Sequence, residues 1–164
     1  MEKAKKKRIL ILILAALLIV LFAWRFIPVS FSKALRDEAG PDILTGFIAM
    51  VTIHTAEQGS LQSETYEIGM EAWPEIYTIL DSANYRRDFR NLIAPLLNGI
   101  SVKGSDKVVD VSIHSAGRSR TIECVAKDKV FINYGDGSSC LYHPTDRSVL
   151  DKLAEYIKNN GEKK

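Results

Sequence analysis

Residues 107–143, KVVDVSIHSAGRSRTIECVAKDKVFINYGDGSSCLYH, decide the fold class. Apolar and polar side chains alternate through Val109, Val111 and Ile113. Further strand-like runs follow over Ser119 to Ala126, Lys129 to Tyr134 and Ser138 to His143. A period of two marks half-buried strands. Ala116-Gly117, Lys127-Asp128 and Asp136-Gly137 punctuate the runs, the last as a strong two-residue hairpin signal. The stretch reads as a four-strand antiparallel meander.

Its register makes a prediction about Cys124 and Cys140, the two cysteines of the chain. Two-residue turns at Lys127-Asp128 and Asp136-Gly137 would set Cys124 opposite Phe131 and Cys140 opposite Asn133. The sulfurs would lie on strands separated by a third. At ~4.8 Å per strand, their α-carbons would be roughly 10 Å apart, beyond the ~7 Å limit of a disulfide. Two free thiols are expected.

Upstream, Phe47 to Thr55 and Gln62 to Ile68 read as a hairpin around the Glu57-to-Ser60 turn. Trp73, Ile76, Ile79, Leu80 and Ala83 fall at helical spacing, with Pro74 suited to the first turn. Pro144 ends the meander, and a second helix follows with the stripe Val149, Leu150, Leu153, Tyr156 and Ile157. Ser148 with Asp151 resembles a capping box, and Asn160-Gly161 is the stop. Residues 85–102 leave two readings open: a short helix broken near Pro95, or an extended crossing segment. The expected class is α+β, a hairpin plus four-strand meander with two amphipathic helices packed on one face.

The N-terminus, KAKKKRILILILAALLIVLFAWRFIPV over residues 3–29, concerns placement. Sixteen residues from Ile9 to Trp24 carry no polar side chain. A bilayer core about 30 Å thick takes roughly 20 helical residues, and Ile9 to Val29 supplies that length. Ile9, Leu14, Leu18, Phe22, Trp24 and Ile27 would face lipid, with Arg25 carrying its charge out to the headgroups. The preceding lysines place residues 1–8 in the cytoplasm as a basic stub. The organisation is then a transmembrane signal-anchor over 9–29, a juxtamembrane linker over 30–45, an extracytoplasmic domain over 46–160 and a frayed tail over 161–164. The rival is a cleaved signal peptide with Ser32-Lys33-Ala34 as its site. The apolar run is longer than the roughly 7–15 residues usual for such a peptide.

Net charge is +2 overall, but its division matters. Residues 1–30 hold six of the 22 basic and one of the 20 acidic residues, leaving a net of −3 on the rest. A nucleic-acid binder carries a basic face on its domain, so no nucleic-acid partner is expected. His54, His114 and His143 show no H-x-x-x-H spacing, so neither metal nor cofactor is expected. Ser30-Phe31-Ser32-Lys33 matches S-x-x-K without the partner motifs that chemistry requires. Gly135-Asp136-Gly137-Ser138 is accounted for by a hairpin. Two basic groups, Tyr85-Arg86-Arg87 with Arg90, and Arg118 with Arg120, are candidate contacts for anionic headgroups, envelope polymer or a partner, since guanidinium binds phosphate and carboxylate in bidentate fashion.

Lys5-Lys6-Lys7-Arg8 before the span, the hairpin, the helix ending at Leu80 followed by Tyr85-Arg86-Arg87, the strands from Val109 to Tyr142 and the final helix from Val149 to Ile157 together resemble a group of small uncharacterised single-pass membrane-anchored proteins of Gram-positive bacteria. That group carries no assigned activity, and the resemblance implies anchorage and α+β architecture. The functional expectation is a non-enzymatic binding module for a partner protein or envelope component, held to the bilayer. The alternative is a cell-envelope hydrolase with a site assembled across strands from His54, His114 and scattered carboxylates.

Overall fold

The computed structural model describes residues 2–36, 46–57, 60–93, 107–115, 118–125 and 128–164. One antiparallel sheet carries every strand among the described residues, in the order β3-β7-β6-β5-β4-β1-β2-β8. The strands are β1 (Gly46–Glu57), β2 (Ser60–Ile68), β3 (Tyr85–Arg87), β4 (Lys107–Ser115), β5 (Arg118–Val125), β6 (Lys129–Asn133), β7 (Ser139–Pro144) and β8 (Glu162–Lys163). The helices are α1 (Glu2–Trp24), α2 (Phe31–Leu35), α3 (Trp73–Asp81), α4 (Arg90–Ile93) and α5 (Ser148–Asn160). The class is α+β, with an N-terminal apolar helix.

Cross-strand partners share a face, so the register sorts the two sides of the sheet. Ala49, Val111, Ile122, Ile132 and Cys140 form one buried row. Val51, Val109, Cys124, Val130 and Tyr142 form the next. Over them lie Trp73, Ile76 and Leu80 of α3 and Val149, Leu150, Leu153, Ala154 and Ile157 of α5. Ala154 takes a core place expected of Tyr156, which is only half-buried. On the opposite face the row Met50, Asp110, Glu123, Phe131 runs across β1, β4, β5 and β6. Ile48 and Met50 stand exposed there.

Several expectations are corrected. Cys124 faces Val130, and Cys140 faces Ile132, one residue from the predicted register in each case. The expected register would have turned Phe131 and polar Asn133 toward the core. The observed one buries Val130 and Ile132 and leaves Asn133 exposed, which a one-residue slip would reverse. The β6–β7 loop is correspondingly wider. Tyr134 N–H donates to Ser138 O at 3.0 Å, enclosing Gly135-Asp136-Gly137. Both glycines take positive φ, 71° and 83°. The side chains of Asn133 and Asp136 accept from the backbone N–H of Gly135 and Ser138. Two thiols are free, as expected, because β6 still separates their strands.

The stretch read as a linker begins inside the core. Val29 and Tyr85 exchange both backbone hydrogen bonds, at 3.0 and 2.7 Å, and Phe31, Ala34 and Leu35 are buried with the sheet. Ser148 is the first residue of α5 rather than its cap: Arg147 takes the cap position without a side-chain bond, and Asp146 before it accepts from Ser148 N–H and Oγ. The tail read as frayed is strand β8, where Lys163 pairs with Tyr66 and Lys164 N–H donates to Thr65 O. Residues 85–93 form edge strand β3 and the short α4, and the rest of the segment read two ways, with its break near Pro95, lies outside the described residues.

α1 has 23 residues, about 34 Å at ~1.5 Å rise. Its window Lys7–Trp24 has a mean hydropathy of 2.4, and none of it is buried against the rest of the protein. This helix is long and apolar enough to cross a membrane, and a signal sequence has the same character.

Candidate functional site

The junction between α1 and the sheet holds a cavity of about 540 Å³. Three cations line it: Arg25 from the turn after α1, Lys33 from α2 and Arg87 from β3. Leu21, Trp24 and Ile27 form the apolar side, and all three are exposed along the end of α1. The fold brings these groups together because the Val29–Tyr85 bridge pins the chain leaving α1 against β3. Among the described residues, no carboxylate lies within ion-pair distance of Arg25, Lys33 or Arg87.

A pair of linked hydroxyls lies beside Arg87. Arg87 stands directly opposite Tyr142 across β3 and β7. Tyr142 and Tyr134 hydroxyls lie 3.1 Å apart, and Tyr134 donates to Ala34 O at 2.7 Å. A carbonyl only accepts, so Tyr134 spends its proton on Ala34 and Tyr142 supplies the one between the phenols. The pair thus ties β7, the strand next to β3, to the residue after Lys33. Arg36 stacks over the Tyr134 ring at 3.8 Å and closes the far side.

A second polar cluster sits where β3 passes into α4. The Asp88 carboxylate accepts from Arg90 N–H at 2.7 Å, Arg90 Nε at 3.0 Å, Arg90 Nη2 at 2.8 Å and His143 Nε2 at 2.6 Å. Burial opposes its ionisation, but these donors outweigh burial and hold the carboxyl well below the usual carboxylate range. His143 Nδ1 faces the backbone carbonyl of Asp128 at 2.7 Å. Both ring nitrogens therefore face acceptors. A general base needs a free lone pair aimed at substrate, and this ring presents none. Chemically the cluster is a brace tying β7, α4 and the β5–β6 loop.

The predicted contact residues scatter. Tyr85 is fully buried, with its hydroxyl donated to Leu80 O at 2.6 Å, so it serves the core. Arg86 and Arg87 alternate on β3 and point to opposite faces, Arg86 exposed. Arg90 is committed to Asp88. Arg120 is buried, with Nη2 donating to Arg36 O at 3.4 Å. The side chain of Arg118 lies outside the described residues. Of these six, only Arg87 joins the junction cavity. The expected lipid-facing residues Ile9, Leu14, Leu18, Phe22, Trp24 and Ile27 are all exposed.

The histidines of the alternative reading are not neighbours. His114 pairs with Gly46 across β4 and β1, and His54 lies eight positions along β1, roughly 26 Å away at ~3.3 Å per residue. No group of three or more metal-ligating side chains occurs among the described residues. No protein-family model, curated protein or solved structure matches the chain.

Sequence reasoning placed neither Lys33 beside Arg25 and Arg87 nor His143 beside Asp88, although Asp88 is the acid expected to pair with the Arg86-Arg87-Arg90 group and does pair with Arg90. Asp88 and His143 are 55 residues apart, so no local motif announces them. Arg25 was visible as the break in the apolar run. Its partners in the cavity become visible only once α2 and β3 are placed.

Proposed function

We propose that this chain is a single-pass anchored protein with residues 1–8 in the cytoplasm and the sheet domain outside, working as a non-enzymatic module that binds a partner protein or envelope component. The observation that carries the reading is the splice of anchor into core. A signal peptide cleaved after Ala34 would excise Phe31 and Ala34, both fully buried, together with the Val29–Tyr85 bridge. Truncating one buried Phe typically costs about 3–5 kcal/mol against a total stability of about 5–15. The folded domain therefore favours retention of the segment. The lysines before α1 support the orientation. Exposed Ile48 and Met50, on the sheet face that α2, α3 and α5 leave free, support a binding role.

Single cysteines at Lys7 and Lys158, in a chain whose Cys124 and Cys140 are replaced by Ala, test the placement. With a membrane-impermeant maleimide on intact cells, Lys158→Cys should label at once and Lys7→Cys only after lysis, and the intact mass should retain residues 1–34. The reverse labelling, or a chain beginning after Ala34, refutes the proposal.

A further inference from the structure

We infer that the junction cavity is a binding site for the phosphate of an anionic membrane lipid, an inference that rests on the anchored reading above. Its chemistry is divided as a lipid is divided. Arg25, Lys33 and Arg87 supply cationic donors, and guanidinium matches a phosphate through paired N–H bonds. Leu21, Trp24 and Ile27 supply an apolar wall continuous with α1, along which an acyl chain would lie. Trp is the side chain suited to headgroup depth. A volume of about 540 Å³ accommodates a phosphate with its glycerol but not a whole lipid, so the chains must leave along the helix.

Three cations gathered with no carboxylate in ion-pair reach among the described residues make the cavity attractive to an anion. Arg90 shows the contrast, because it is neutralised within the fold by Asp88. Arg87 is carried on β3 opposite Tyr142, whose hydroxyl is linked through Tyr134 to Ala34 O, so the strand and the helix that bear Arg87 and Lys33 are tied together before any ligand arrives. Preorganisation of this kind reduces the ordering cost of binding. A free phosphate would satisfy the cations equally well. The exposed apolar wall favours the lipid, since a small inorganic anion would gain nothing from it.

The test uses the full chain in nanodiscs holding equal phosphatidylglycerol and phosphatidylcholine, with co-purifying lipid read by native mass spectrometry. The expected result is preferential retention of phosphatidylglycerol. Arg25→Gln with Lys33→Gln should lower the preference about fivefold per cation removed. Arg86→Gln, on the same strand but the opposite face, should leave it unchanged. Arg87→Lys covers the case in which a Gln at that half-buried strand position unfolds the domain; it keeps the charge and should lose only part of the preference. Equal retention of both lipids, or a preference indifferent to Arg25 and Lys33, overturns the site. Displacement of the lipid by millimolar inorganic phosphate overturns the lipid as occupant. Carbonate extraction of membranes separates this failure from that of the anchor: a chain that stays in the pellet but shows no lipid preference refutes the site alone, whereas a chain released by carbonate refutes the anchored reading.

Discussion

Replacing Phe31 by Ala is the sharpest test of where the domain begins. Phe31 is fully buried, its ring 5.5 Å from that of Tyr77 and 5.7 Å from that of Tyr85. Truncating a buried Phe removes its transfer free energy and leaves a cavity, together about 3–5 kcal/mol, and each aromatic pair adds about 0.5–1.5. A residue in a solvated linker would cost within about 0.5 kcal/mol. Urea titration of the full chain in mild nonionic micelles, followed by tryptophan fluorescence, separates the cases. Trp73 is 2% exposed in the same core and so reports on its loss. With an m-value of about 2 kcal/mol/M, the midpoint should fall by about 2–4 M. Met70→Ala, an exposed control, should move it by no more than about 0.3 M. A Phe31→Ala midpoint within the range of that control would refute the claim that α2, the segment just after the apolar helix, belongs to the core.

Acid should weaken the domain through Asp88. Its folded pKa is depressed, so its contribution is complete above the ordinary aspartate value of 3.8 and is lost as pH falls below it. Asp88→Asn should destabilise at pH 7 by about 1.5–3 kcal/mol and flatten the acid limb of a stability–pH curve. Asp110 and Glu123 have the opposite sign: burial raises both, and Asp110 raises Glu123 further across the β4–β5 pair. Their contribution is present at low pH and lost as pH rises through the raised values, so Asp110→Asn should stabilise at pH 7 by about 0.2–1 kcal/mol in thermal melts. Burial pushes the Cys124 thiol up to about 12 and also raises Cys140. Iodoacetamide at pH 8 should modify neither in the folded protein and both in urea, with no mass change on reduction. A Cβ at Gly161 would meet Ile157 O at 2.6 Å and Glu67 O at 2.7 Å, both backbone, so Gly161→Ala should lift β8 from β2 and speed amide exchange at Lys163 and Lys164.

Periodicity carried the strands and the two longer helices because their apolar spacing repeats over whole elements. Trp73, Ile76 and Leu80 could be buried only by a helix, and Val130 and Ile132 only by a strand. Boundaries failed where one side chain decides the turn. The Asp136-Gly137 signal was real, but the side chains of Asn133 and Asp136 and the positive φ of Gly135 made the loop one residue wider. β3 and β8 are too short for any pattern, and their pairing is set by strands distant in sequence. The site was less legible still. Tyr85-Arg86-Arg87 looks like one basic group in the sequence, but strand alternation and burial separate its members. Arg25, Lys33 and Arg87 look unrelated until Val29 is paired with Tyr85.

That pairing also fixes how the domain can work. A flexible 16-residue linker over 30–45 would let the domain roam roughly 20–24 Å from its anchor. The helical turn instead continues past α1, with Phe26 N–H bonded to Ala23 O and Ile27 N–H to Trp24 O. Only Pro28 stands between that turn and the bridge at Val29, a reach of about 3.5 Å. Pro also fixes its own φ, which removes the softest torsion at the joint. Tilt of α1 is therefore transmitted to β3, and through β7 to the sheet, rather than absorbed by a tether. In the anchored reading, a partner of the open face must approach at a set height above the bilayer. Inserting Gly-Ser-Gly-Ser after Pro28 should keep the protein in the membrane while reducing capture of any partner embedded in the same bilayer. Undiminished capture after that insertion would show that the rigid joint plays no part in recognition.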